Sequence, residues 1–430
     1  MRTIALMCAI LSSGTLHAAA PTTVDAAIAQ AAKAHTPVLL DFSAPWCYSC
    51  YFMETHVLNG KEWTALNAKV IIAPIDADSP DGAAWMKKLD VKALPAYVVL
   101  DENGAELGTI LAEQTREVFY PAIAKIIDGA STLDGFKSKA EAGSIDSVAT
   151  VLGAYSARDD GSAGLAWYAT LPPSTRQSAA RQSHVSLWLA RLELARAVHA
   201  DDNAGSIAAA QKVLAGDIGC DRPYIVDRLL EASDKQTPAA RSALLKRQRA
   251  ALDTMLDHDF FVAKPACADQ RSAVVATADV DSALGDAVAE KAVLDRAIDA
   301  VRVQLGGNLT KDRNAADNLR VYLVRAKRTA ELDALYPRLI AAYPDDYVYP
   351  YRFGRSLLER GQPARALPLL EAAAEKSYGE NRLAVATQRV LALKALKRQA
   401  DAEKVVSDVL EQTGQWFPEQ VAKLRKTLGT

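Results

Sequence analysis

Cys47 and Cys50 stand three apart in Trp46-Cys47-Tyr48-Ser49-Cys50. At the start of a helix, two cysteines so spaced can close a small disulfide ring and open it again. Helix N-termini carry unpaired N–H groups and partial positive charge, which stabilise a thiolate on the first cysteine. A lowered pKa makes Cys47 the attacking sulfur at neutral pH. Cys50, one turn further in, then attacks the mixed disulfide and releases the substrate. Trp46, directly before Cys47, is placed to cover the site. The redox-active disulfide is itself the chemical group, so this chemistry calls for no cofactor. Two structural readings of the pair stand beside it: an inert disulfide, or half of a zinc site. Zinc needs two more ligands, and the sequence has no second Cys-x-x-Cys and no clustered histidines.

Three further cysteines occur, at 8, 220 and 267. Cys8 lies in the apolar run of an expected signal peptide, residues 1–20, with Arg2 before the run and Ala18, Ala19 and Ala20 after it. Export after cleavage removes Cys8 and leaves an even number of cysteines, which permits disulfides. Cys220 and Cys267 are then expected to form a structural bridge. Closing a loop of that size stabilises a fold by roughly 4 kcal/mol in the chain-entropy model.

Around the pair the sequence alternates strand and helix. Thr22 to His35 is Ala-rich and helical, and Val38 to Phe42 reads as a buried strand interrupted only by Asp41. A helix is expected from Cys47 to about Leu58, a second buried strand over Val70 to Ile75, and a short helix over Gly82 to Leu89. Tyr97 to Asp101 and Glu106 to Ile110 form a hairpin across Glu102-Asn103-Gly104, and Thr115 to Ile127 closes the unit as a helix. This is an α/β sandwich over residues 21–130.

Beyond Gly129 helical spacing dominates. A chain of 430 residues is too long for one ordinary core, and residues 131–310 read as an α-helical region. Residues 311–430 carry a weak internal repeat: Leu332, Ala366 and Ala402 align at separations of 34 and 36 residues. In the middle copy Gly354, Gly361, Ala366, Leu370 and Ala373 fall at the spacing of a tetratricopeptide repeat. Small residues there let paired helices pack closely, and stacked pairs present concave surfaces. The net charge of −2 gives no reason to expect nucleic acid or a membrane surface as partner, and no segment is long and apolar enough to span a bilayer. Charge is uneven along the chain: residues 21–130 hold 8 basic and 14 acidic side chains, residues 315–430 hold 19 and 14.

Asp41-Phe42-Ser43-Ala44-Pro45-Trp46-Cys47-Tyr48-Ser49-Cys50 resembles the active-site segment of thioredoxins. It is more similar to the C-terminal thioredoxin-like domain of DsbD-type thiol:disulfide interchange proteins, whose second cysteine is followed by a pair like Met53-Glu54. Leu94-Pro95-Ala96-Tyr97 looks like that family's cis-proline loop, which lies against the redox pair and receives substrate backbone. Asp41 matches the family's buried acid beneath the second cysteine, implied to relay its proton. The resemblance spans residues 22–129, and it departs from thioredoxin at Tyr51, where thioredoxin has lysine, and at Ile72-Ala73-Pro74, where a partner lysine is absent.

The resemblance implies a thioredoxin fold and a protein-disulfide reductase; the helical spacing adds an all-α repeat region after it, and the expected signal peptide a periplasmic location. Its implied partners are protein thiol and disulfide clients and a DsbD-like electron donor, with the helical repeats holding client or partner. The alternative is a non-catalytic assembly or chaperone-type protein acting through the helices.

Overall fold

The computed structural model describes residues 21–129 and 131–429. The expected signal segment, with Cys8, lies outside the described residues.

Four strands form one mixed sheet in the order β2-β1-β3-β4: β1 (Val38–Ser43), β2 (Ile71–Asp76), β3 (Ala96–Leu100) and β4 (Glu106–Leu111). β1 runs parallel to β2 and antiparallel to β3, and β3 and β4 make the hairpin. β1 and β3 are central, so apolar side chains of both parities are buried. Val38, Leu40 and Phe42 face α1 (Val24–Ala34) and α4 (Pro80–Lys88) through Ala27, Ala31 and Trp85. Leu39 points the other way, into a core shared with Met53, Val57, Leu66, Phe119 and Ile123. That second layer holds α2 (Tyr48–Phe52) with its π-helical extension Met53–Val57, then α3 (Gly60–Asn67) and α5 (Arg116–Gly129).

Two local expectations are corrected. β2 is an edge strand, not a buried one. Pro74 is exposed on it, as suits a residue with no N–H to give a further neighbour. The sequence also marks no element between Leu58 and Val70, where the structure folds α3. That helix buries Leu66 and half-buries Trp63, too little for a periodic signal.

From Leu133 onward every regular element among the described residues is helical. One apolar core runs through these helices from Met255 to Leu428, and Ala83 of α4 packs against it. In the helix pair Val348–Glu359 and Pro363–Lys376 the axes approach closely at Gly354, where an added Cβ would lie 2.7 Å from Leu370 Cγ. Ala366, Leu370 and Ala373 are fully buried there. Cys220 and Cys267 are bonded, with Cα atoms 5.4 Å apart, and join the turn Gly219–Asp221 to the segment leading into the helix Gln270–Leu284.

Candidate redox site

Cys47 is the N-cap of α2. Its backbone is extended while the next residue is helical, and its sulfur accepts the Cys50 backbone N–H at 3.1 Å. Cys50 therefore lies one turn below with its sulfur turned back, and the two are joined as a disulfide with Cα atoms 5.2 Å apart. Both are buried, Cys47 at 4% and Cys50 at 8% exposure, among Ala44 and Ala77, with Met86 and Leu94 alongside. Ala44 comes from the loop after β1, and Leu94 precedes Pro95 across a cis peptide bond.

Two other expected residues, Asp41 and Trp46, lie in the strand and the loop that lead into this pair. Asp41 is half-buried on β1, opposite Pro74 of β2 and Tyr97 of β3. Strand alternation sets it on the Leu39 side of the sheet, the side covered by Met53 and Val57 of the redox helix. Burial, and then the nearby Glu54 carboxylate, push its pKa up to about 7. Trp46 remains 41% exposed, and its indole N–H donates to Asp78 Oδ2 at 2.9 Å. Tyr51, which stands where thioredoxin has lysine, is buried and donates its hydroxyl to the Pro45 carbonyl. Glu113, just beyond β4, is buried beside Ser49. Burial and the neighbouring Asp269 raise its pKa well above the carboxylate range. Among the described residues no group of three or more His, Cys, Asp or Glu side chains could hold a metal ion.

The motif does not face open solvent. Ends of four helices from the C-terminal region close over it. From the Gln270–Leu284 helix and its N-cap, Asp269 accepts the Tyr48 hydroxyl at 3.3 Å and Arg271 lies 3.5 Å over the Tyr48 ring. From Arg313–Arg325, Asn314 donates to the Tyr48 carbonyl at 2.9 Å and Arg313 covers the Tyr51 ring. From Val348–Glu359, Arg352 donates to the Trp46 carbonyl at 2.9 Å. At the start of Gly379–Ala395, the Glu380 N–H donates to the Asp78 carbonyl and Asn381 to the Asp78 side chain. His56, further along the redox helix, bonds Asp312 at 2.8 Å. None of these covering residues was marked by the sequence as part of the site. The only signal available was the surplus of basic side chains late in the chain.

Gly379 shows how tightly the cover fits. Its φ of +51° is left-handed, and an added Cβ would lie 2.0 Å from the Asp78 carbonyl oxygen. Gly379→Val is therefore expected to push the Gly379–Ala395 helix off the Asp78 loop, at a cost of about 1–3 kcal/mol. Alkylation of reduced Cys47 by iodoacetamide, followed by mass spectrometry, should then run several-fold faster than in the parent protein. An unchanged rate would show that this contact does not keep the motif covered.

Residues 19–102 match the thioredoxin-like family. Among curated proteins, the thiol:disulfide interchange protein DsbD of Ralstonia nicotianae is 35% identical over 83 residues, 19% of this chain and 14% of its own length. The protein of the same name from Cronobacter sakazakii is 35% identical over 86 residues, 20% of this chain and 15% of that one. The chain thus matches only about a seventh of the length of these relatives. The family match takes in β1, β2 and β3 and the Cys47–Cys50 disulfide, and ends before β4.

Proposed function

We propose that this chain is a periplasmic thiol–disulfide oxidoreductase working as a protein-disulfide reductase. The observation that carries the reading is the Cys47 sulfur at the head of the redox helix, accepting the Cys50 N–H and bonded to Cys50. In this reading Cys47 attacks a client disulfide and Cys50 resolves the mixed disulfide. Asp41 takes and returns the Cys50 proton, Pro95 lies along the client backbone, and Trp46 shields the sulfurs. Reduction is favoured over oxidation by the resemblance of the active-site segment to those of thioredoxins and DsbD-type proteins, and a DsbD-like protein is the electron donor. The helical region 131–310 and the tetratricopeptide-like repeats 311–430 hold client or partner. The periplasmic assignment rests on the signal-like first twenty residues. Among the described residues no helix is long and apolar enough to cross a membrane.

A second reading is a non-catalytic assembly or chaperone-type protein acting through its helices. The bonds from those helices to Trp46 and Tyr48, on either side of Cys47, favour it. The equilibrium of the full chain with glutathione or dithiothreitol, read by thiol trapping, separates the two. A reductase is expected near thioredoxin's potential of about −270 mV, whereas a value near DsbA's, about −120 mV, would make the pair an oxidant. A pair that resists reduction in the folded protein would be a structural bridge and would leave the binding reading.

A further inference from the structure

Asp317 is completely buried and shared by three arginines. Arg271 Nη2 lies 2.8 Å from Oδ2, while Arg320 Nε at 2.8 Å and Arg352 Nη1 at 2.6 Å meet Oδ1. Burial alone would raise the Asp317 carboxyl, but the guanidinium groups of Arg320, Arg352 and Arg271 hold it well below the usual range. One carboxylate thus answers three cations, and two positive charges are left over on side chains only 10–19% exposed. Holding unbalanced charge out of water is costly unless an anion is near.

The surplus points at one place. Arg352 spends its second nitrogen on the Trp46 carbonyl, and Arg271 stacks on the Tyr48 ring. Residues 46 and 48 flank Cys47, so the two cations hold the residues on either side of the one whose sulfur becomes an anion on reduction. The remaining charged and titratable groups packed around the motif offset them only in part. The Asp269 carboxylate, which accepts from the hydroxyls of Tyr48, Tyr224 and Ser272, balances one of the two surplus charges. Burial raises Glu113 well above its range and Asp41 to about 7, which weakens both as counter-charges, while Asp78, raised only to about 6, is held by Trp46 and Asn381. Arg313 is paired with Asp346, and His56 with Asp312. The α-helical part of the redox helix is only five residues long before it widens into the π turn. The helix by itself is thus a modest source of positive potential.

We propose that Arg271 and Arg352, supplied by the helical region, are positioning residues of the redox centre that stabilise the Cys47 thiolate. On reduction the disulfide takes two electrons and one proton from a dithiol donor, giving a Cys47 thiolate and a Cys50 thiol. The anion then supplies the negative charge that the arginine cluster lacks. Stabilising the reduced form makes the pair a stronger oxidant than the thioredoxin-like fold alone would be. This rests on the exchange chemistry proposed above and adds that the helices tune it.

The test uses the full chain with Arg271→Gln, Arg352→Gln and the corresponding lysine variants. Thiolate absorbance against pH gives the Cys47 pKa, and thiol trapping gives the equilibrium with glutathione. Each glutamine variant is expected to raise the Cys47 pKa by about one unit and to favour the disulfide by about fivefold near neutral pH. The lysine variants, which keep the charge, should restore most of both. Values within twofold of the parent for the glutamine variants, or equal shifts for lysine and glutamine, would overturn the proposal. If the glutamine variants do not fold, the parent decides: a Cys47 pKa at the ordinary thiol value of about 8.5 overturns it, and one well below supports it. A parent that fails to reduce a protein disulfide while the variants still shift the equilibrium would sink the reductase reading and leave the arginine role standing.

Discussion

Cys47→Ser is expected to bring disulfide exchange down to the uncatalysed background, while Cys50→Ser is expected to leave a stable mixed disulfide with client. The asymmetry follows from position. Cys47 caps the redox helix and its sulfur already accepts an N–H bond that would steady a thiolate. Cys50 has no such cap and lies deeper along the helix, so its use is intramolecular: it attacks the Cys47–client bond once that bond exists. Serine at 47 removes the nucleophile and leaves Cys50 as a thiol without the helix-cap position, while Cys220 and Cys267 are bonded to each other. Serine at 50 removes only the resolving step. Reduction of a model protein disulfide, with non-reducing electrophoresis to display adducts, distinguishes the two. An active Cys47→Ser protein would end this mechanism. The absence of adducts with Cys50→Ser would mean that clients do not reach Cys47 through the covering helices.

Asp41→Asn has the second large effect, and it should appear in both kinetics and stability. With a pKa pushed up to about 7, the Asp41 carboxyl can both hold and release a proton near neutral pH. Asparagine can do neither. Release of client by Cys50 is expected to slow by about a hundredfold, the usual scale for loss of a proton-transfer group, while attack by Cys47 changes little. Equal slowing of both steps in single-turnover kinetics would argue against the relay. For stability, the folded pKa of about 7 lies above the ordinary aspartate value, so the folded state binds the proton more tightly than the unfolded state. The parent protein therefore loses stability as pH rises through that window and levels off above it. Asp41→Asn removes the dependence. It should be more stable than the parent at about pH 8, by at most about 4 kcal/mol, with the gain fading toward about pH 4. Urea unfolding at the two pH values checks the sign, and a gain of the same size at both would show that burial of the ionised carboxyl is not its source.

Much of the N-terminal half of this picture was legible in the amino-acid order. The apolar run at Val38 reads as a buried strand and that at Tyr97 as one arm of a hairpin, and both are strands of the sheet. Asp41 stood out because a lone acid interrupts the first of them. The loop at Leu94-Pro95 was found through its likeness to a known one, and its peptide bond is cis. The α3 helix and the edge position of β2 were not legible. α3 buries too few side chains to leave a periodic trace, and an edge strand differs from a central one only by what lies beside it.

The sequence by itself determined that two cysteines one helical turn apart sit at the start of a helix, just after a strand that carries a lone acid. Those relations are local, whereas the place of the acid and of the proline loop beside the cysteines was implied only by the resemblance to a known family. Only the tertiary structure decided that the motif is covered, and by what. Asp269, Arg271, Asn314, Arg352 and Asn381 lie more than 200 residues beyond Cys47 in the chain. In sequence each is an ordinary polar side chain of a helix or its cap. A charge announces its sign but not its partner, and an arginine on a solvated helix face is spelled the same way as one that stacks on Tyr48 or bonds the Trp46 carbonyl. Which of them meets Tyr48 and Trp46 depends on how the helical array packs back onto the sheet domain, and no local pattern encodes that.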